Sequence, residues 1–329
     1  MIKIEYSQVP QEYLDYIKHF KVKIGKWLQD GAMGYSATRI SLTDDCRLIF
    51  RYLLKSDNLE RLMLLPAEEI PQLIDFVENR FSSLKDCRLK KTGADKALYE
   101  CLSKAFDKLG YCDAKFPDFE LSNTLGVKAC PYCNAEDVVT QDLKSEGVHI
   151  RNSELDHFYP RELYPYLSIS LYNLIPSGPI CNGGSCKHNK DSYQEKLVNP
   201  FTLKNSNGIR FELDIFDKGL LTYRTFHLAC KVKTVLHDLA LDANKRIFLI
   251  EGRYEQEIEQ ARTVWCFFQG YATKGYQTMI GEKERLLGTA LTFDEWFELE
   301  TRVNPSNYNG LKLSKLTMDI WWQLNDLIV

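Results

Sequence analysis

The amino-acid sequence predicts an α+β protein with mainly helical N-terminal and C-terminal regions around a compact module rich in Cys, Asn, Gly and His. Apolar residues recur at helical spacing near both ends of the chain. Residues 209–215 alternate apolar and polar side chains, as a β-strand does. Four of the ten cysteines fall within 130–186. We therefore divide the chain into a helical region (1–126), a central module (127–200) and a region of a β-hairpin and helices (201–329).

Three helices are predicted in the N-terminal region. The first surrounds residues 13–24, the second begins at Pro66 with two acidic residues in its first turn, and the third covers 97–109. Their apolar faces are formed by Tyr13, Ile17, Phe20 and Ile24, by Ile74, Val77 and Phe81, and by Leu98, Leu102, Phe106 and Leu109. We expect the basic run at 85–91 to be a solvated helix end.

The C-terminal region is predicted to open with a β-hairpin. Its strands are 209–215 and 221–223, and a turn at 217–219 joins them. Helical spacing then predicts a long amphipathic helix across 247–265 and a final helix that starts near Ser314.

Composition excludes several classes of protein. The 329 residues carry a net charge of −3, which argues against a protein that coats nucleic acid by charge alone. No segment reaches the roughly 18 uninterrupted apolar residues that indicate a membrane span, and the first residues do not resemble a secretory signal. We therefore expect a cytoplasmic protein that does not associate with a membrane.

The clustered cysteines predict a metal site. Cys130 and Cys133 form a C-x-x-C pair, and Cys181 and Cys186 follow about fifty residues later. Disulfides are not expected in a reducing cytosol, so these cysteines are better interpreted as metal ligands. Four thiolates around a tetrahedral Zn²⁺ would stabilise a module that has little apolar core.

An acid and an imidazole stand side by side at Asp156 and His157, between the apolar Leu155 and Phe158. At the end of a strand, a slight twist lets Asp156 bind a metal ion while His157 faces a nearby water. Hydrolysis of a phosphodiester needs these two separate roles, because the ion neutralises charge on the phosphate and a neutral histidine takes a proton from water.

Further polar residues follow. Asn173 lies in an apolar run, where its amide must be hydrogen-bonded, and a bond to a neighbouring loop would fix that loop beside Asp156 and His157. Asn182 could supply a carbonyl oxygen to a hard cation. Lys187 or Lys190 could contact a phosphate.

The order of these segments resembles that of the HNH endonuclease family, in a zinc-stapled subclass. The matching motifs are C-P-Y-C at 130–133, L-D-H-F-Y-P at 155–160, Y-N-L-I-P-S at 172–177 and C-N at 181–182. The resemblance implies a ββα-metal core of HNH or treble-clef-like type, with Mg²⁺ or Mn²⁺ for catalysis and a structural Zn²⁺. It also implies the roles of the matching residues: His157 as general base, Asp156 and Asn182 as ligands of the catalytic ion, Asn173 as the residue that orients the active-site loop, and Cys130, Cys133 and Cys181 as zinc ligands.

The chain departs from this pattern at Gly178, where relatives in the subclass carry a fourth cysteine. Cys186 could replace that ligand, or the site is incomplete or free of metal. In a second alignment Cys181 and Cys186 form the zinc pair, and the ligand of the catalytic ion moves from Asn182 to His188 or Asn189. We prefer Asn182, because the C-N pair directly follows the Asn173 segment.

A weaker resemblance concerns the segments 239–242 and 313–316, which are similar to tails of HNH proteins in Septu-like anti-phage systems. It implies an ABC- or SMC-like ATPase partner that docks on the helical regions. Residues 127–196 carry seven basic and nine acidic residues, a net charge of −2, which favours a substrate delivered by a partner. We expect an endonuclease that cuts DNA, ahead of RNA. The alternatives are a zinc-stapled, catalytically inactive module that binds nucleic acid or protein, and a structural protein.

Overall fold

The computed structural model describes residues 1–30, 43–82, 84, 95–143, 148–204, 206–272 and 275–326. The chain divides into two compact units. We call Ile4–Gly126 with Thr140–Thr202 the amino-terminal unit, and Met1–Lys3, Val127–Val139 and Leu203–Val329 the carboxy-terminal unit. Helices dominate, and the described strands form short antiparallel pairs, so the predicted α+β class is confirmed.

The amino-terminal unit begins with a series of helices. They are α1 (Gln11–Asp30), α2 (Asp44–Leu54), α3 (Asn58–Met63), α4 (Ile70–Arg80), α5 (Lys96–Leu102) and α6 (Asp118–Leu125), with a π-helix at Ser103–Tyr111 directly after α5. The predicted face of α1 is confirmed, because Tyr13, Ile17, Phe20 and Ile24 are all buried. These side chains form part of the core on which the rest of the unit packs.

Two predicted helices differ from the structure in their details. Helix α4 begins at Ile70, and Pro66 lies in the preceding turn, where its carbonyl accepts a hydrogen bond from the amide of Glu69 at 2.9 Å. The helix predicted across 97–109 passes from α5 into the π-helix. This wider turn changes the helical period, and Leu109 is only half-buried. The basic run at 85–91 lies outside the described residues.

Four short strands follow in the same unit. Strands β1 (Thr140–Leu143) and β2 (Val148–Arg151) pair antiparallel, as do β3 (Glu154–His157) and β4 (Leu174–Ser177). A short helix, α7 (Pro179–Asn182), comes directly after β4. The chain therefore runs strand, strand, helix through the segments in which the sequence places its candidate catalytic residues.

The carboxy-terminal unit combines one strand pair with helices. Its elements are β5 (Ile209–Ile215), α8 (Phe226–Ala229), β6 (Cys230–Leu236), α9 (Asp242–Ile247), α10 (Ile250–Glu255), α11 (Ile258–Ala272), α12 (Gly275–Leu287), α13 (Phe293–Thr301) and α14 (Ser314–Asp326). The predictions of β5 and of α14 are confirmed. Residues 221–223 are not a strand, however, because the Asp217 carboxylate accepts hydrogen bonds from two following amides and closes a 3₁₀ turn. The partner of β5 is β6.

The long helix predicted across 247–265 is wrong as a single element. Leu249 adopts a left-handed conformation with φ of 53°, which ends the helical path between α9 and α10. A second interruption separates α10 from α11. The apolar spacing is continuous through both interruptions, so the pattern alone did not reveal them.

None of the helices in the described ranges is both long and apolar enough to cross a membrane.

Candidate functional site

A cavity of about 460 Å³ in the amino-terminal unit brings several predicted residues together. Asp156 and His157 at the end of β3 line it, together with Asn182 at the end of α7 and His188 in the turn beyond. Asn189, the other alternative ligand, lines the same cavity. The strand–strand–helix order thus gathers Asp156, two asparagines and two histidines around one space.

His157 is held as a neutral imidazole. Its Nε2 lies 2.9 Å from the carbonyl oxygen of Ser168, which can only accept, so Nε2 carries the proton and Nδ1 is left as the basic nitrogen. Burial, together with the charges of Arg161 and Lys187, lowers the pKa of His157 to about 3, although the bond to Ser168 opposes the shift. The ring also packs edge-to-face on Tyr111, with centroids 4.4 Å apart. At neutral pH the imidazole is therefore uncharged.

Asp156 is bound by a buried lysine. The Nζ of Lys187 donates to Asp156 Oδ1 at 2.8 Å and to the His157 carbonyl oxygen at 2.7 Å. Lys187 is fully buried and Asp156 is 3% exposed. The expectation that Lys187 contacts a phosphate is wrong for this conformation, because a buried charge requires a partner and Asp156 provides it.

Asn173 ties two loops together by its side chain. Its Oδ1 accepts from the amide of Tyr159 at 2.7 Å, and its Nδ2 donates to the carbonyl oxygens of Tyr159 and Leu167 at 3.1 and 3.0 Å. The residue is completely buried. The chain directly after His157 is therefore fixed to the segment that precedes β4. Asn173 thus bonds a neighbouring loop, as the requirement to satisfy a buried amide predicts.

Asn182 is oriented by an acid that the sequence did not single out. Its Nδ2 donates to Glu154 Oε2 at 2.5 Å. Glu154, Asp156 and Asn182 all line the same cavity. A small divalent ion such as Mg²⁺ typically takes one or two carboxylates from the protein and completes its coordination with water and phosphate oxygens. The donor set at the cavity fits such an ion.

Two arginines add positive charge to the cavity wall. Arg161 donates to Asp107 Oδ1 at 2.9 Å and stacks over the ring of Tyr111, with its guanidinium carbon 5.3 Å from the centroid. Arg151 pairs with Asp118 at 2.7 Å. Both arginines line the cavity, and the sequence reasoning passed over them because neither belongs to a recognisable motif.

The cysteine prediction is supported in part. Three buried residues of the carboxy-terminal unit, Cys130, Cys133 and Glu136, offer ligand atoms that could hold a metal ion such as zinc. In the carboxy-terminal unit, the potential ligand atoms of Cys130, Cys133 and Glu136 lie within 4.8 Å of one another. Thiolate and carboxylate ligands are those that Zn²⁺ takes in proteins. The residues present therefore fit a structural zinc ion.

The turn that carries the C-x-x-C pair is held tightly within its unit. The amide of Asn134 donates to the Cys130 carbonyl at 2.7 Å, and the amide of Ala135 donates to Cys133 Sγ at 3.3 Å. Tyr254 donates its hydroxyl to the Cys133 carbonyl at 2.6 Å, and Arg253 pairs with Glu136 at 2.6 Å. The turn is therefore fastened to α10 at two points.

Asn134 connects the same turn to α14. Its φ of 58° is a left-handed value that Asn tolerates. Its Oδ1 accepts from the Lys315 amide at 3.0 Å, and its Nδ2 donates to the Leu311 carbonyl at 2.7 Å. The turn thus braces the start of the last described helix.

The remaining predicted zinc ligands lie in the amino-terminal unit. Cys181 is buried in α7, and its carbonyl accepts from the Lys187 amide at 3.1 Å. Cys186 is also buried. Cys186 as a zinc ligand stays a prediction. Glu136 was missed, although an acid three positions after Cys133 is a signal that spacing alone could have offered.

Comparison with known proteins gives one partial similarity. The chain is 34% identical over 91 residues to the Septu protein PtuB of Bacillus thuringiensis. These residues are 28% of this chain and 30% of the relative. No family model and no solved structure matches the chain. The similarity therefore concerns less than a third of either protein, and it links this part of the chain to a Septu protein.

Proposed function

We propose that the protein is a metal-dependent HNH-type endonuclease that hydrolyses phosphodiester bonds, with DNA as the preferred substrate. The observation that carries the proposal is the buried, neutral His157, whose Nε2 is bound to a backbone carbonyl. It adjoins Asp156 and shares a cavity with Asn182. A positioned base beside oxygen ligands for a divalent ion is an arrangement that supports metal-assisted hydrolysis of a phosphodiester.

Each residue has a definite task in this proposal. His157 takes a proton from a water molecule through Nδ1, and the water oxygen attacks the phosphorus while the bond to the leaving oxygen breaks. Asp156 and Asn182 would hold a Mg²⁺ or Mn²⁺ ion, which supplies charge neutralisation on the phosphate and on the leaving oxygen. Asn173 keeps the loop after His157 in place. Cys130, Cys133 and Glu136 would hold a structural zinc ion.

The biological setting is proposed from the partial similarity. Similarity to the Septu protein PtuB supports a role in Septu-like anti-phage defence. We further propose an ABC- or SMC-like ATPase partner, because the net charge of −2 over residues 127–196 gives this region little affinity of its own for a polyanion. The partner would bring the DNA to the cavity.

Cleavage of supercoiled plasmid tests the proposal. The wild-type protein, with its zinc content recorded, is compared with His157→Ala in the presence of Mg²⁺ or Mn²⁺. A general base contributes typically 10²–10⁴-fold, so the variant should lose at least a hundredfold in rate. The matched control is His227→Ala, which removes an exposed histidine outside the cavity and should cut like the wild type.

The other outcomes separate the alternatives. A His157→Ala protein that cuts at the wild-type rate would contradict the assignment of the base. If the wild type is inactive although it contains zinc, the assay is repeated with any ATPase that co-purifies. Inactivity in that mixture would contradict the endonuclease and favour a zinc-stapled, inactive binding module.

A further inference from the structure

Lys187 occupies an unusual place for a lysine. It is fully buried, whereas lysine side chains are usually exposed unless they are paired. Its ammonium bonds two consecutive residues of β3, the side chain of Asp156 and the backbone carbonyl of His157. Lys187 does not line the cavity itself, although both of its partners do. The cation therefore reaches β3 from the protein side.

The backbone around Lys187 is also fixed. Its amide donates to the Cys181 carbonyl at 3.1 Å, and its carbonyl accepts from the Lys190 amide at 2.8 Å. The lysine thus joins the turn after α7 to the end of β3. Since α7 carries Asn182, one residue links the segments that contribute the acid, the base and the amide of the cavity.

We propose that Lys187 is a positioning residue that orients the Asp156 carboxylate for a divalent ion and holds the backbone of His157 beside it. The inference rests on the proposed function, because it assumes that Asp156 binds the ion. Lys187 engages Oδ1, which fixes the rotation of the carboxylate that faces the cavity. Partners of this kind typically change metal affinity 10–100-fold when they are removed.

Lys187 could instead compete with the metal ion for Asp156. An ammonium group 2.8 Å from a carboxylate oxygen also repels a divalent cation, so removing a lysine that merely competes would strengthen metal binding. If Lys187 orients the carboxylate, its removal weakens binding instead. The two roles therefore predict opposite changes in metal affinity when Lys187 is removed.

Binding of Mn²⁺ to the zinc-containing full chain distinguishes them without any cleavage assay. The electron paramagnetic resonance signal of free aqueous Mn²⁺ gives the dissociation constant for the wild type and for Lys187→Gln and Lys187→Met. We expect 10–100-fold weaker binding for Lys187→Met and an intermediate value for Lys187→Gln, which keeps one donor group. Asp156→Asn defines the site and should abolish this binding.

The matched control is Lys18→Met, which removes a lysine from an exposed pair with Asp15 in the same unit. Its Mn²⁺ affinity should equal that of the wild type. Unchanged or tighter binding by Lys187→Met, with thermal unfolding showing a folded protein, would overturn the proposal and leave the proposed function standing. A wild type with no Mn²⁺ site that depends on Asp156 would overturn both.

If neither Lys187 variant folds, the proposal is tested on the wild-type protein. Nitrogen-15 labelling of lysine makes a buried, slowly exchanging ammonium group visible by nuclear magnetic resonance. Among the described lysines Lys187 and Lys315 are at most 1% exposed, and Lys315→Arg identifies the second signal. Mn²⁺ should broaden the Lys187 signal in the wild type and not in Asp156→Asn. A signal that stays sharp while Mn²⁺ is bound would contradict the proposal.

Discussion

Replacing Asn173 by Ala removes three hydrogen bonds from a side chain with no solvent exposure. The groups left behind are the amide and the carbonyl of Tyr159 and the carbonyl of Leu167. Tyr159 is 4% exposed and Leu167 is fully buried, so water cannot easily replace the lost partner. The substitution therefore leaves three buried backbone groups to be satisfied in another way.

The expected loss of stability follows from these contacts. A protein hydrogen bond contributes about 1 kcal/mol net, and an unsatisfied buried group costs about 1–3 kcal/mol. Three such groups give a decrease of about 3 kcal/mol or more in the free energy of unfolding. Because a domain has only about 5–15 kcal/mol in total, the variant should remain folded at room temperature but with a reduced margin.

Chemical denaturation followed by circular dichroism measures this decrease, and hydrogen exchange locates it. The Tyr159 amide donates to Asn173 Oδ1, so its protection should fall well below the wild-type value. The matched control is Asn199→Ala, a buried asparagine whose side chain makes two bonds, to the Tyr172 carbonyl and from the Phe201 amide. It should cost about 2 kcal/mol and leave the protection of Tyr159 unchanged. An Asn173→Ala protein within about 1 kcal/mol of the wild type, with Tyr159 still protected, would refute the reasoning.

Two further predictions concern the zinc group and acid stability. Cys133→Ser should lose zinc and unfold at a lower temperature, because structural zinc binding is coupled to folding; Cys230→Ser, at a buried cysteine of β6, should keep its zinc. Burial raises the pKa of Asp113, but hydrogen bonds from Lys23, the Lys115 amide and His19, together with the charge of Lys23, hold it below its ordinary value of 3.8. This contribution is present above pH 3.8 and is lost as the pH falls through the lower folded value. The stability advantage of the wild type over Asp113→Asn should therefore shrink in acid; a constant difference in denaturation midpoints between pH 6 and pH 2.5 would contradict the assignment.

The parts of the fold that the sequence predicts correctly are those set by local periodicity. The α1 face and strand β5 each follow a repeat within a few residues, and burial follows that repeat. The partner of β5 was misplaced, because strand pairing is decided by contacts distant along the chain, whereas the turn at Asp217 only suggested a short connection. The helix predicted across 247–265 is interrupted at Leu249, which the local apolar spacing also did not indicate. The Leu249 backbone is left-handed, and leucine carries no local signal for that conformation.

The candidate site shows the same difference between local signals and contacts that are distant along the chain. Asp156, His157 and Asn182 could be proposed together because their motifs occur in a known order, and the structure places them around one cavity. Lys187 could not be interpreted in this way. A lysine near a glycine pair suggests a solvated cation, yet this one bonds a carboxylate 31 positions earlier.

The buried pair also explains why Lys187 does not make the phosphate contact that was expected of it. The expectation of a phosphate contact counts the lysine as a free positive charge, but the end of β3 carries a buried carboxylate and an acceptor carbonyl that together bind the ammonium. A buried Asp156 carboxylate without a partner would destabilise the fold, because it is removed from water, and the Lys187 ammonium compensates its charge. Positive charge for a substrate would then come from Arg151 and Arg161, which line the cavity. Their anchoring acids, Asp118 and Asp107, precede residue 127, so the electrostatics of the cavity depend on side chains outside the 127–200 module that the sequence predicted.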